Sequence, residues 1–278
     1  MVSRAIREIR DQIGKFTTYD KEVDYKEGAD LVTTADYAAQ KVYTDMISEC
    51  TPNAGIVAEE NELHKSPQNG ETIYYTIDPV DGTKALVRKQ SDGIGTLFGV
   101  VNTVDHEIIW SYVWDVMTQE LYYYRPWSNT VHRLDINNPH KNSILSYQDR
   151  DTKRLLTLDD IRKYPMRVDK ITAPWWYRNN IGISNGSIGT NMAKLWKCEV
   201  DAVLLKAWVA MPWDRVPCAG ISQRLWYIAI HINQHNKLEV KDMNDNRSLD
   251  PMEVPYQLII HKNELQDVLT TLDKADIK

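Results

Sequence analysis

Cysteine is nearly absent from this chain: Cys50, Cys198 and Cys218 are the three in 278 residues. They stand far apart and are odd in number, so they form neither a disulfide framework nor a Cys-x-x-Cys zinc site. Long apolar runs are missing as well, and none approaches the roughly 20 residues that cross a bilayer. The opening residues, MVSRAIREIRDQIGKF, are charged throughout and lack the apolar centre of a signal peptide. A reduced, cytoplasmic setting with no membrane partner is therefore expected. Positive charge is not in surplus: the net charge is −6, which excludes a general nucleic-acid footprint. Phenylalanine is scarce, two copies against nine Trp and fifteen Tyr, and nothing in the sequence explains that preference. There is no internal repeat and no low-complexity segment. What remains is 42% hydrophobic and 26% charged, ordinary for a globular protein and long enough to bury a large core in one domain or two fused lobes.

Val2, Ile6, Ile9, Ile13 and Phe16 recur at helical spacing and predict an amphipathic opening helix. TTADYAAQKVYTDMIS predicts a second, with Ala35, Ala38, Ala39, Val42, Tyr43, Met46 and Ile47 on one face. Thr33 or Thr34 caps it, which puts Asp36 in the first turn. GIVAEE and TIYYTIDP read as short strands. GIGTLFGVVNT, EIIWSYVWDV and ELYYYR read as successive antiparallel strands. Residues 126–142 turn rich in Pro, Asn and His, a natural lobe boundary. Beyond it, SILSY, DAVLL, WYIAIHI and YQLII read as strands, with helices near 189–197, 214–225 and 262–273. Mixed strands and helices throughout predict a layered α/β or α+β architecture.

The chemistry concentrates in YYTIDPVDGTKALV, residues 74–87, where an apolar run ends in two aspartates three apart. Pro79 cannot continue a strand ladder, so the chain is expected to leave the sheet at Asp78 and turn. DGTKAL then opens a helix with Gly82 and Thr83 in its first turn, where backbone N–H groups suit a phosphate. Two adjacent carboxylates repel unless a cation lies between them, and an all-oxygen ligand set suits Mg2+. The same stretch also reads as a polar turn with a helix cap. Two other acidic features sit at element boundaries. VAEE places Glu59 and Glu60 at a strand end, where a solvated loop is the alternative. MPWDRVPCAG places Asp214 at a helix start, where an acid complements the helix dipole. Pro217 is expected in the tolerant first turn of that helix.

Taken in order, these segments resemble the inositol monophosphatase superfamily of magnesium-dependent, lithium-sensitive phosphatases. Its D-P-[IVL]-D-G-T hallmark stands as Asp78 to Thr83, its D-x-V-T-x-x-D as Asp30 to Asp36, its G-E-E as Ala58-Glu59-Glu60 and its W-D as Trp213-Asp214. The resemblance covers about residues 1 to 272. It implies a layered αβαβα sandwich of the sugar-phosphatase type. Residues 1–133 would form an N-terminal lobe carrying most metal ligands. Residues 134–278 would form a lobe carrying Asp214 and substrate-binding segments. It further implies a homodimer and a small phosphorylated metabolite as substrate.

Carried over residue by residue, the resemblance implies two or three Mg2+ ions. Glu59, Asp78 and the carbonyl of Val80 would hold one, and Asp78, Asp81 and Asp214 a second. Catalysis would rest on Asp36, Glu59 and Thr83, with Thr83 and Asp36 orienting a metal-activated water. Gly82, Thr83 and Lys84 would meet the phosphate or a second anionic group. Gly189 and Thr190, in a segment like the family's S-V-G-T, would line the substrate site through their backbone. A glycine turn capping the next helix is the alternative there, and an exposed first-turn lysine is the alternative for Lys84. The departures are Ala58 for Gly, RVPCAG and RLWY for the usual small residues after W-D, Ala207 where inositol-preferring members carry Glu, and Lys26 one residue out of step. Trp175, Trp176 and Tyr177 are candidates either for stacking on a leaving group or for core packing. Histidinol phosphatase and 3′(2′),5′-bisphosphate nucleotidase are the runner-up activities. A catalytically silent phosphate-binding relative and a structural Ca2+-binding protein are the rivals from other classes.

Overall fold

Strand periodicity organises the structure. It is a computed structural model and describes residues 7, 10–11, 18–20, 31–138, 140–146, 170–173, 182–184, 186–200, 202–205, 208–232, 238–243, 249–254 and 256–275. In chain order, β1 (Thr18–Asp20) pairs with β2 (Leu31–Thr33), which runs directly into helix α1 (Thr34–Cys50). There follow β3 (Gly55–Ala58), β4 (Leu63–Lys65), β5 (Ile73–Asp81) and a single-turn helix α2 (Thr83–Val87). Strands β6 (Gly95–Asn102), β7 (Glu107–Asp115), β8 (Glu120–Tyr124), β9 (Val131–Asp135) and β10 (Asn142–Ile144) then meander antiparallel. Together β3 to β10 make an eight-stranded sheet in the order β10-β9-β8-β7-β6-β5-β3-β4. Its one parallel pair is β3 with β5.

The second half contributes β11 (Lys170–Ala173), β12 (Gly182–Ser184), α3 (Ile188–Trp196), β13 (Ala202–Leu205), β14 (Trp208–Ala210) and α4 (Pro212–Arg224). It ends with β15 (Tyr227–Ile232), β16 (Leu238–Asp242), β17 (Met252–Val254), β18 (Tyr256–His261) and α5 (Leu265–Ala275). A six-stranded antiparallel sheet forms in the order β12-β11-β13-β18-β15-β16.

Alternation sorts the side chains into three cores. Leu97 and Val101 of β6 face α3 and α4, while Phe98 and Val100 face α1 and α2. On β13, Val203 and Leu205 face α3 and α4, while Ala202 and Leu204 face Val268 of α5. Both sheets are therefore covered on both faces, giving the αβαβα layering expected of the family. The middle layer, α3 and α4, is shared, so a residue at the start of either helix can reach the first sheet.

Two local expectations differ. Strand β9 spans the division expected after residue 133, and β10 pairs with it, so the first sheet continues to Ile144. Within residues 126–142 the chain forms β9 itself, and after it the Asp135 side chain accepts the N–H groups of Asn137 and Asn138. The chain also does not leave the sheet at Asp78, because β5 runs on to Asp81. The predicted opening helix falls largely outside the described residues.

Candidate active site

The parallel pairing of β3 and β5 brings two acidic strand ends side by side. Ala58 is level with Ile77, and the Glu59 N–H donates to the Ile77 carbonyl at 3.1 Å. Glu59 thus sits beside Asp78. A spacing of three would normally point Asp78 and Asp81 to opposite faces of a strand. Here Asp78 pairs with Leu97 and Asp81 with Gly95, three residues against two. The extra residue is a β-bulge, formed where Pro79 has no N–H to give the ladder, and it returns both carboxylates to one face. Thr96 braces the bulge from the neighbouring strand: its hydroxyl donates to the Asp78 carbonyl at 3.0 Å and meets the Tyr43 hydroxyl at 3.0 Å.

Asp36 arrives from the other side on the first turn of α1. It completes a capping box with Thr33, whose N–H donates to Asp36 Oδ2 at 2.8 Å. The Thr83 hydroxyl lies 3.0 Å from Asp36 Oδ1 and 3.1 Å from the Val80 carbonyl. Burial pushes the Asp36 carboxyl up to about 6, opposed by the hydrogen bonds from Thr33 and Thr83 and reinforced by the charge of Glu59. Asp214 comes from the middle layer, in the first turn of α4. Pro212 occupies the start of that helix, so Pro217 lies in its second turn, where it removes one helical hydrogen bond.

Asp78, Asp81 and Asp214 each offer a carboxylate oxygen within 4.8 Å of the others. Asp78 is 3% exposed and its carboxyl is held well above the usual range, first by burial and then by the charges of Glu59, Asp81 and Asp214. Asp78 Oδ1 has no hydrogen-bond partner among the described residues. A buried, unsatisfied carboxylate oxygen facing three more acids is costly by itself. It fits a divalent, oxygen-preferring cation, which would supply the missing partner and neutralise the cluster.

The remaining predicted residues divide. Gly82 adopts φ +94°, and a Cβ there would lie 2.1 Å from the Gly93 carbonyl oxygen and 2.8 Å from the Ser187 nitrogen. Only glycine fits. Lys84 is exposed on α2. Gly189 and Thr190, expected to face a substrate through their backbone, use their amides inside the protein. The Gly189 N–H donates to Asp81 Oδ2 at 2.8 Å, and the Thr190 N–H to the Ser187 hydroxyl oxygen at 2.9 Å. The start of α3 therefore grips a carboxylate of the protein itself. Ser187 was not singled out from sequence; a serine just before a helical run is an N-cap signal that marks it.

The model of the inositol monophosphatase family matches residues 1–221. The chain belongs to that family. It is 32% identical over 94 residues to an inositol-1-monophosphatase of Bacillus subtilis, a stretch that is 34% of each chain. Matched segments thus span about a third of such relatives. Whole-fold likeness is broader. The extragenic suppressor protein suhB from Bartonella henselae aligns over 98% of this chain and 95% of its own, with TM-score 0.67 and 13% identity. An IMPase/NADP phosphatase solved with Mg2+ and phosphate aligns over 98% and 92%, with TM-score 0.65 and 17% identity.

Departures from the inositol monophosphatase pattern are absorbed by packing. Ala58 is fully buried in the core beneath α1. Arg215, in place of a small residue, is buried beside Asp214 and donates to the carbonyls of Ala210 at 2.9 Å and Asp250 at 3.0 Å. Burial lowers its guanidinium pKa to about 10, against the opposing charge of Asp214. Leu225 joins the middle-layer core and Trp226 is exposed. Lys26, Asp30, Trp175 to Tyr177 and Ala207 lie outside the described residues.

Proposed function

We propose that this chain is a Mg2+-dependent phosphomonoesterase of a small phosphorylated metabolite, acting in the cytoplasm as a homodimer. The observation that carries the reading is the buried Asp78 Oδ1, without a hydrogen-bond partner among the described residues, set among Glu59 after β3, Asp81 on its own strand and Asp214 of α4. Glu59, Asp78 and the Val80 carbonyl are assigned to one cation, and Asp78, Asp81 and Asp214 to a second. Bound cations would supply charge neutralisation and water activation for an in-line displacement. The chain's own residues do the rest. Thr83 accepts a proton from the attacking water as its own hydroxyl proton passes to Asp36 Oδ1. A carboxylate titrating near 6 is a competent base at neutral pH. The first-turn amides of α2, at Gly82 and Thr83, are assigned to the phosphate, and Lys84 to a second anionic group. Phosphoryl transfer asks for positioning and charge more than for a covalent nucleophile.

Polyol or sugar phosphates are placed first as substrates, ahead of histidinol phosphate and 3′(2′),5′-bisphosphate nucleotides. The test is phosphate release from inositol phosphates, fructose 1,6-bisphosphate, histidinol phosphate and adenosine 3′,5′-bisphosphate, with Mg2+ and with chelator. Release that needs Mg2+, is inhibited by lithium and is lost in Asp81→Asn with the circular dichroism unchanged is the expected result. No Mg2+-dependent release from any of them, or full activity in Asp81→Asn, would sink it.

A further inference from the structure

We infer that Ser187 is the residue that positions Asp81 for its metal. This rests on the assignment of Asp81 as a ligand. Asp81 stands where local structure fixes it poorly: a bulge precedes it and Gly82, at positive φ, follows. Its carboxylate orientation is set from over 100 residues away. The Ile188 N–H donates to Oδ1 at 3.1 Å, the Gly189 N–H to Oδ2 at 2.8 Å, and the Ser187 hydroxyl to Oδ2. All three donors come from the start of α3. With one side of the carboxylate gripped there, its remaining lone pairs are left for Asp78 and Asp214 to share a cation with.

Ser187 is the side-chain member of the three, and its roles are linked. Its hydroxyl oxygen accepts the Thr190 N–H at 2.9 Å, which leaves the hydroxyl proton for Asp81. The residue is fully buried, and its own N–H donates to the Gly93 carbonyl at 2.8 Å. A cap alone would need only the acceptor; the donated bond is what ties the cap to the site.

Metal-free full-length protein titrated calorimetrically with MgCl2 tests this. Ser187→Ala should weaken Mg2+ binding about 10–100-fold, as loss of a group that orients a ligand does. Ser187→Cys keeps the volume with a weak donor and should weaken it severalfold, which covers the case of Ser187→Ala failing to fold. Melting with and without Mg2+ separates the roles. A cap-only residue lowers both melting temperatures equally, whereas a positioning residue also shrinks the Mg2+-induced rise. Wild-type protein that binds Mg2+ while both variants bind within twofold of it overturns this inference and leaves the proposed function standing. Wild-type protein that binds no Mg2+ overturns both.

Discussion

At the scale of the residue, the site is a balance between carboxylates that repel and the few donors that restrain them. Thr83 is the restraint on Asp36 that reaches furthest across the fold, from α2 to α1. Its hydrogen bond lowers the Asp36 pKa, against the dominant effect of burial. Thr83→Ala therefore raises that pKa above about 6, so the acid limb of the kcat–pH profile moves to higher pH while kcat falls 100-fold or more. An acid limb that stays in place, or moves down, removes Asp36 from the proton path. Asp78, Asp81 and Thr83 were legible in the sequence because their chemistry is packed into six consecutive residues. Ser187 and Thr96 were not, because each acts on a partner that only the folded chain brings near: Thr96 meets Asp78 across a bulge, and Ser187 meets Asp81 across the layer boundary.

At the scale of the element, the site depends on close backbone approach where α2, the start of α3 and the turn before β6 meet. Gly82 and Gly70 make a controlled comparison, since both have positive φ, +94° and +78°, but Gly70 has nothing within 4 Å of a Cβ. Gly70→Ala should cost about 1 kcal/mol, the price of the backbone conformation alone. Gly82→Ala adds a backbone clash that cannot rotate away and should cost roughly 3 kcal/mol or more. Urea unfolding of the two variants checks the contrast, and equal losses would show that the junction is looser than drawn. The elements themselves were readable where periodicity was strong: α1, the β6–β7–β8 meander and the helices of the middle layer all follow their patterns. The proline signals misled. Pro79 predicted an exit from the sheet, but a bulge accommodates a residue with no N–H. Pro217 was expected in a first helical turn that begins two residues earlier than its acid suggested.

At the scale of the whole molecule, the acids assigned to the proposed site oppose folding. Asp36 is raised from 3.8 to about 6 and Asp78 well above its usual value, burial being the first cause of both. A carboxyl raised in the fold holds its proton there after the unfolded chain has released it. The folded state then binds more protons, and stability falls as pH rises from about 4 through the folded pKa. For Asp36 the shift of roughly two units is on the order of 3 kcal/mol at neutral pH. Metal-free protein should therefore be penalised at pH 8 relative to pH 5, with Mg2+ relieving the Asp78 cluster at the higher pH. The Mg2+-induced rise in melting temperature should grow across that interval. Asp78→Asn carries the same logic to one residue. In chelator at pH 8 it should melt several degrees above wild type, since about 1 kcal/mol moves a domain of this size by 2–4 °C. The gap should narrow as pH falls, because a carboxyl held well above its usual value takes up its proton in the fold before the unfolded chain does. In saturating Mg2+ the order should reverse, because the variant forfeits a ligand proposed for the cation. A variant that melts below wild type in chelator at pH 8 would mean that Asp78 is stabilised by something other than a cation, and the repulsion attributed to the cluster would be absent.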